Sequence, residues 1–186
     1  MKKLTELAKI QKIERASIFL WILFLGANVK AQKVDFDQSG RRTDEVTQTG
    51  FSSWQVGQLS YNGSASTTVN GVRVTVKNST NGYDLRTGWY KANILKDKLI
   101  NDGIHHDGNP RSSTSITITV SGLKNGNHSL QAYHNNPDGV TGMGNITVVV
   151  NGRKKTVVTP SSRATDISQA AKSYISFSGS SATLVY

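Results

Sequence analysis

Beyond residue 32 the chain alternates apolar and polar residues with a period of two. In Val72-Arg73-Val74-Thr75-Val76-Lys77 three valines share one face, and Arg73, Thr75 and Lys77 share the other. That is the pattern of a half-buried strand. Residues 115–120, 129–133, 145–150 and 156–158 read the same way, and 174–177 and 182–186 complete the set. Five Asn-Gly pairs, starting at Asn62, Asn70, Asn81, Asn125 and Asn151, punctuate these runs. Asn-Gly accepts the positive φ angles of tight hairpin turns, and Asn151-Gly152, with strand pattern on both sides, is the clearest hairpin. The one segment here with helical character is Thr165 to Lys172, good for one or two turns with Thr165 as cap. Lys91 to Ser113 is polar and too long for a plain hairpin connection, so it is expected to form a structured surface loop. Short strands with closely spaced turn signals predict an all-β fold, an antiparallel β-sandwich or barrel.

The first residues break this pattern. Lys2, Lys3, Lys9, Lys12 and Arg15 precede an unbroken apolar run from Ile18 to Leu25, and Val29-Lys30-Ala31 follows it. A cationic start, a short apolar core and small residues before the scissile bond describe a helical signal peptide. It is expected to span residues 1–31, with cleavage after Ala31 and one module at 32–186. A membrane span needs about 20 apolar residues. This run is shorter, and its flanks include Ser17, Gly26 and Asn28, so no stable span is expected once the leader is removed. The module should therefore be exported, to periplasm, cell surface or medium.

Residues 32–186 are enough to bury a core without staples. The chain has no cysteine, which excludes both a disulfide framework and a lipoprotein-type attachment. Of the net charge of +10, residues 1–31 carry +4 (six basic, two acidic), leaving +6 on the module. Such a charge favours acidic partners in general and specifies none. Arg153-Lys154-Lys155, just after a turn signal, reads as a solvated hairpin tip.

No phosphate loop, His-Glu-x-x-His, Gly-x-Ser-x-Gly or cysteine nucleophile is present, so no catalytic residue is assigned. His105-His106, beside Asp102 and Asp107, has metal-ligand residue types. Adjacent strand residues point to opposite faces, however, so at most one ring would enter a site, and no metal is assigned there. Asp35 and Asp37 flank Phe36 and share a face. Surface solvation is the first expectation for them and a structural calcium the alternative; no other cofactor is expected. Trp54, Trp89, Tyr90 and Tyr133 sit among polar neighbours. Sugar rings present apolar faces edged by hydroxyls, so aromatics can stack on them while polar side chains bond in plane. The carbohydrate-binding candidates are Trp89 and Tyr133, with Tyr90 and Trp54, as platforms and Asp102, His105, His134 and Asn135 as hydrogen-bonding groups. His134-Asn135-Asn136, three polar residues closing a strand, is expected to lie in a wet place, and residues 102–107 in a binding loop.

Several segments together resemble the N-terminal modules of exported Bacteroidetes polysaccharide-degrading enzymes, of the polysaccharide lyase type. They are Lys33-Val34-Asp35-Phe36-Asp37, Glu45-Val46-Thr47, Gly50 to Trp54, Thr87 to Tyr90, Asn101 to Ile104 and Val120 to Leu130. The last is similar to the Gly-Leu-x-x-Gly-x-Tyr hairpin of such sandwiches, with His128 where tyrosine is common. The resemblance implies a jelly-roll, galactose-binding-like or malectin-like sandwich, its first strand near its last, ahead of a catalytic domain that is often a parallel β-helix lyase. Leu184-Val185-Tyr186 ends the chain inside a strand pattern, so truncation at the C-terminal strand and a missing catalytic domain are expected. The first functional expectation is an exported, non-catalytic module that targets a polysaccharide, acidic polymers included, and not nucleic acid. The alternatives are an N-terminal fragment of a polysaccharide lyase or glycoside hydrolase, and a structural or adhesive surface module.

Overall fold

The computed structural model describes residues 31–89, 97–106, 114–137 and 144–186. The signal-peptide reading, Tyr90, Asp107 and most of the polar stretch after Lys91 lie outside the described residues, as does the side chain of Trp89.

The described part of residues 32–186 forms one compact unit built almost entirely of strands. Its largest element is a six-stranded sheet in which β4 (Ser64–Val69), β5 (Val72–Asn78), β8 (Ile116–Ser121), β14 (Ser181–Val185), β10 (Ile146–Val150) and β11 (Arg153–Val158) are neighbours in that order. Every pairing in it is antiparallel. In β5 burial alternates as the sequence predicts, with Val72, Val74 and Val76 inside and Arg73 and Lys77 out. Two Asn-Gly pairs make its hairpin turns. Asn70-Gly71 (φ 50° and 81°) joins β4 to β5, and Asn151-Gly152 (φ 48° and 77°) joins β10 to β11. Positive φ at both central residues matches the right-handed twist of the flanking strands.

The inner face of this sheet is covered in two halves. Val72, Val120, Val148, Val150, Ala182 and Leu184 pack with Ile175, and Leu130 and Phe177 add to them. Those last three belong to β9 (Asn127–Asn136) and β13 (Ala171–Ser178), paired antiparallel, with β12 (Ser161–Ser162) on the other edge of β9. The other half gathers Val74 and Val76 with Trp54, Val56 and Leu85, flanked by Phe36 and Ile104. Against the β5 valines stand Phe36 of β1 (Val34–Phe36), Trp54 of β2 (Ser52–Trp54), Leu85 of β6 (Leu85–Trp89) and Ile104 of β7 (Asp102–His106), with Val56 from the link after β2. β6 is the middle strand of a small sheet, between β3 (Gln58–Leu59) and β7. A fully buried valine or leucine contributes about 1.5–3 kcal/mol, so the fully buried Val76, Val148, Leu85 and Leu184 are principal anchors of the fold.

Several expectations are corrected. Residues 165–172 form a turn that runs into β13, not a helix. Eight residues nucleate a helix poorly, and here Ile167 and Ala170 instead pack on Ile100 and Ala164. Asp102–His106 is a strand, not a loop; with one apolar residue among five it carries no alternation to detect. The run from Val120 to Leu130 is a crossing between sheets, since β8 pairs with β5 and β14 while β9 pairs with β13. The first strand does not meet the last: β1 pairs parallel with β2, and β14 lies between β10 and β8. One α-helical turn, α1 (Thr43–Val46), is present where none was predicted, and it buries Val46.

Candidate functional site

Two places concentrate chemistry. The first is buried. β1 runs beside β2 in register Asp35↔Ser53 and Phe36↔Trp54, and the Asp37 amide donates to the Trp54 carbonyl at 3.0 Å. Alternation then turns Phe36 onto Trp54, ring centroids 5.4 Å apart, and leaves Asp35 and Asp37 on the opposite side. That side is not solvent. Asp35 is 1% and Asp37 0% exposed, which overturns the expectation of surface solvation. Asp102, at the start of β7, joins them, and one carboxylate oxygen from each of the three lies within 4.8 Å of the others.

Each carboxylate has one oxygen held. Asp35 Oδ2 accepts from the Gln48 amide (2.7 Å), Asp37 Oδ2 from the Thr47 hydroxyl, and Asp102 Oδ2 from the Gln38 amide (3.2 Å). The segment supplying Thr47 and Gln48 follows α1 and is pinned in turn, because Gln48 Oε1 accepts from the Lys98 amide at 2.8 Å. Asp37 Oδ1, Asp102 Oδ1 and the neighbouring Asn101 Oδ1 are buried without a hydrogen-bond partner. Burial pushes the Asp102 carboxyl up to about 8, and the charges of Asp35 and Asp37 add to the rise. Burial also raises Asp35, to about 6; the Gln48 amide and Lys98 oppose that rise and Asp37 adds to it. Desolvation and like charge disfavour the ionised forms together.

The second place is the outer face of β9 and β13. Gln131 lies opposite Tyr174, and Tyr133 opposite Lys172. Tyr174 is 68% exposed, the most exposed large apolar side chain described. Tyr133 is half-buried, one edge against Ile100, Ala164 and Ala170, and Lys172 Nζ stands 5.6 Å from its ring centroid. Burial raises the Tyr133 phenol, and Tyr174 adds to the rise, which marks the two hydroxyls as neighbours. Two tyrosines, a lysine and a glutamine thus share one strip. The outward turn of Tyr174 follows the alternation of Tyr174-Ile175-Ser176-Phe177, which puts Ile175 and Phe177 on one face and Tyr174 with Ser176 on the other.

The predicted site residues do not form one constellation. Trp54 is 7% exposed and belongs to the core, not to a ligand platform. His134, 8% exposed, faces inward; its Nε2 shares a hydrogen bond of 2.9 Å with Ser173 Oγ and its ring lies 5.9 Å from that of Tyr186. Burial lowers its basicity. Asn135 is a clip: its Nδ2 donates to the carbonyls of Ile100 and Ala164, and its Oδ1 accepts from Ser161 Oγ and the Ala164 amide. The wet place expected for 134–136 is thus mostly closed: His134 and Asn136 are buried, and protein groups partner His134 and Asn135. His105 is exposed and lies across Gly88, where a Cβ would come within 2.1 Å of its ring. His106 turns the other way and donates to Asn78 Oδ1 at 3.1 Å, so the two rings face opposite sides as the alternation requires. The backbone of Trp89 pairs opposite Asp102.

The described residues make an all-β unit with a carboxylate cluster, two of its members fully buried, and an exposed aromatic strip, and that is the class that fold and site define. Comparison with protein-family models, with curated proteins and with solved structures finds no match to this chain.

Proposed function

We propose that this is an exported, non-catalytic carbohydrate-binding module of β-sandwich, jelly-roll type, which holds an acidic polysaccharide on the outer face of β9 and β13. The observation that carries the reading is Tyr174, 68% exposed, beside Tyr133 with Lys172 Nζ 5.6 Å over its ring. Exposed aromatic faces stack on the apolar faces of sugar rings, while a fixed ammonium and an amide address carboxylate and hydroxyl groups. A lysine between two tyrosines suits a uronic-acid polymer better than a neutral glycan, in keeping with the net positive charge of residues 32–186. The shape is a strip, not a cleft, which fits an extended chain ligand. The hydroxyl–imidazole pair Ser173–His134 is buried, at 2% and 8% exposed, and so is closed to a polysaccharide.

The test is affinity electrophoresis of the protein against pectic, other uronic-acid and neutral polysaccharides, with absorbance of unsaturated product followed in parallel. Retardation by a uronic-acid polymer is expected, with no product. Tyr174→Ala should weaken it about tenfold or more in a protein with unchanged melting temperature. Product formation would replace this reading with the lyase-fragment one. Burial of Trp54 favours the structural-module reading, and that reading prevails if no polymer retards the protein.

A further inference from the structure

We infer that Asp35, Asp37 and Asp102 form a calcium site that fastens the first strand of the fold to β7. The inference is independent of the polysaccharide reading.

Three carboxylates lie together, and Asp35 and Asp37 among them are 1% and 0% exposed; Lys98 is the described cation that bears on Asp35. Buried charges persist when paired or bound to a metal, and an unpaired one costs several kcal/mol. The second observation is the set of orphaned oxygens. Asp37 Oδ1 sits on a fully buried side chain with no hydrogen-bond partner, and Asp102 Oδ1 and Asn101 Oδ1 are likewise buried and unpartnered. Protein groups hold the other oxygen of each carboxylate, so the cluster is already oriented, and Oδ1 of Asp37 and of Asp102 is spare.

The chemistry selects the ion. The spare donors are hard oxygens only, with no sulfur or imidazole among them. Calcium takes oxygen ligands at about 2.3–2.6 Å, so ligands on opposite sides of it stand about 4.6–5.2 Å apart. The triad's ligand atoms fall within 4.8 Å of one another, inside that span. Magnesium demands a near-ideal octahedron with bonds of about 2.0–2.1 Å and gives up its waters reluctantly, so a site built of protein carboxylates favours calcium. The ion would join residues far apart in sequence: β1 and the chain just after it on one side, and the first residue of β7 on the other. Its neighbourhood includes Trp54, on the strand paired with β1.

The purified protein is stripped with EDTA, exchanged into chelator-free buffer at pH 7.5, and melted with EDTA, magnesium or calcium. Terbium, with calcium as competitor, is followed by tryptophan-sensitised luminescence. Calcium at a hundredfold excess over its Kd should raise the melting temperature by about 5–10 °C over the EDTA sample. Terbium should luminesce and be displaced by calcium. Asp37→Asn and Asp102→Asn should each abolish both effects, and if one variant fails to fold the other decides. Identical wild-type melts in calcium and in EDTA, without terbium luminescence, would overturn the site in favour of a proton-sharing carboxyl cluster. Variants that keep wild-type calcium shifts would overturn it equally, by placing the ion elsewhere.

Discussion

His134 shows how a polar residue is reassigned by its surroundings. On the sequence it opens a polar triplet; in the fold it is 8% exposed, paired with Ser173 and edged by Tyr186. Burial disfavours the imidazolium, so its folded pKa lies below the ordinary 6.5. The unfolded chain then takes up a proton near pH 6.5 that the folded chain refuses. The stability involved is present above that pH and is lost as pH falls through the folded pKa. His134→Gln, which keeps a hydrogen-bonding group and cannot titrate, should therefore lose less stability than wild type between pH 7.5 and 5. Urea midpoints measured in parallel check this. Curves of equal slope for the two proteins would mean that His134 charges as readily in the fold as outside it.

Among the elements, the crossing from β8 to β9 shows where local pattern runs out. Asn125-Gly126 looks like the other Asn-Gly pairs, yet the strands before and after it pair with different partners in different sheets. What fixes the exit of β8 is Gly122, at φ 82°, where a Cβ would stand 2.7 Å from the Gly71 carbonyl oxygen in the β4–β5 turn. Both the backbone angle and the close approach exclude a side chain. Gly122→Ala should cost about 1–3 kcal/mol, read as a lower urea midpoint with an unchanged slope. A midpoint equal to wild type would show that the two turns can part without loss.

Taken whole, the molecule carries a positive charge spread over a domain with one exposed aromatic strip. If the strip reads a uronic-acid polymer, Coulomb attraction supplies part of the affinity and stacking the rest. Raising NaCl from 0.1 to 1 M shortens the screening length from about 10 to about 3 Å. Retardation by an acidic polymer should fall several-fold over that range, whereas any retardation by a neutral polymer should hold. Salt-independent retardation by the acidic polymer would remove Lys172 from the recognition.

The strand alternation of β5, the tight turns at Asn70 and Asn151, the opposite facing of His105 and His106 and the all-β class are local properties. Side-chain period and backbone preference act over a few residues, and the sequence alone determines them. Tertiary structure decided everything that depends on which strands become neighbours. Asp35 and Asp37 share a face by alternation, but only the tertiary packing buries them and brings Asp102 of β7 beside them. β7 itself was hidden, because Asp-Gly-Ile-His-His acquires its strand conformation from pairing with β6. Trp54 sits among polar neighbours, and the layer that covers it is assembled from residues far away along the chain. Burial is a property of the whole packing, and so the candidate sites came into view only when the sheets were put together.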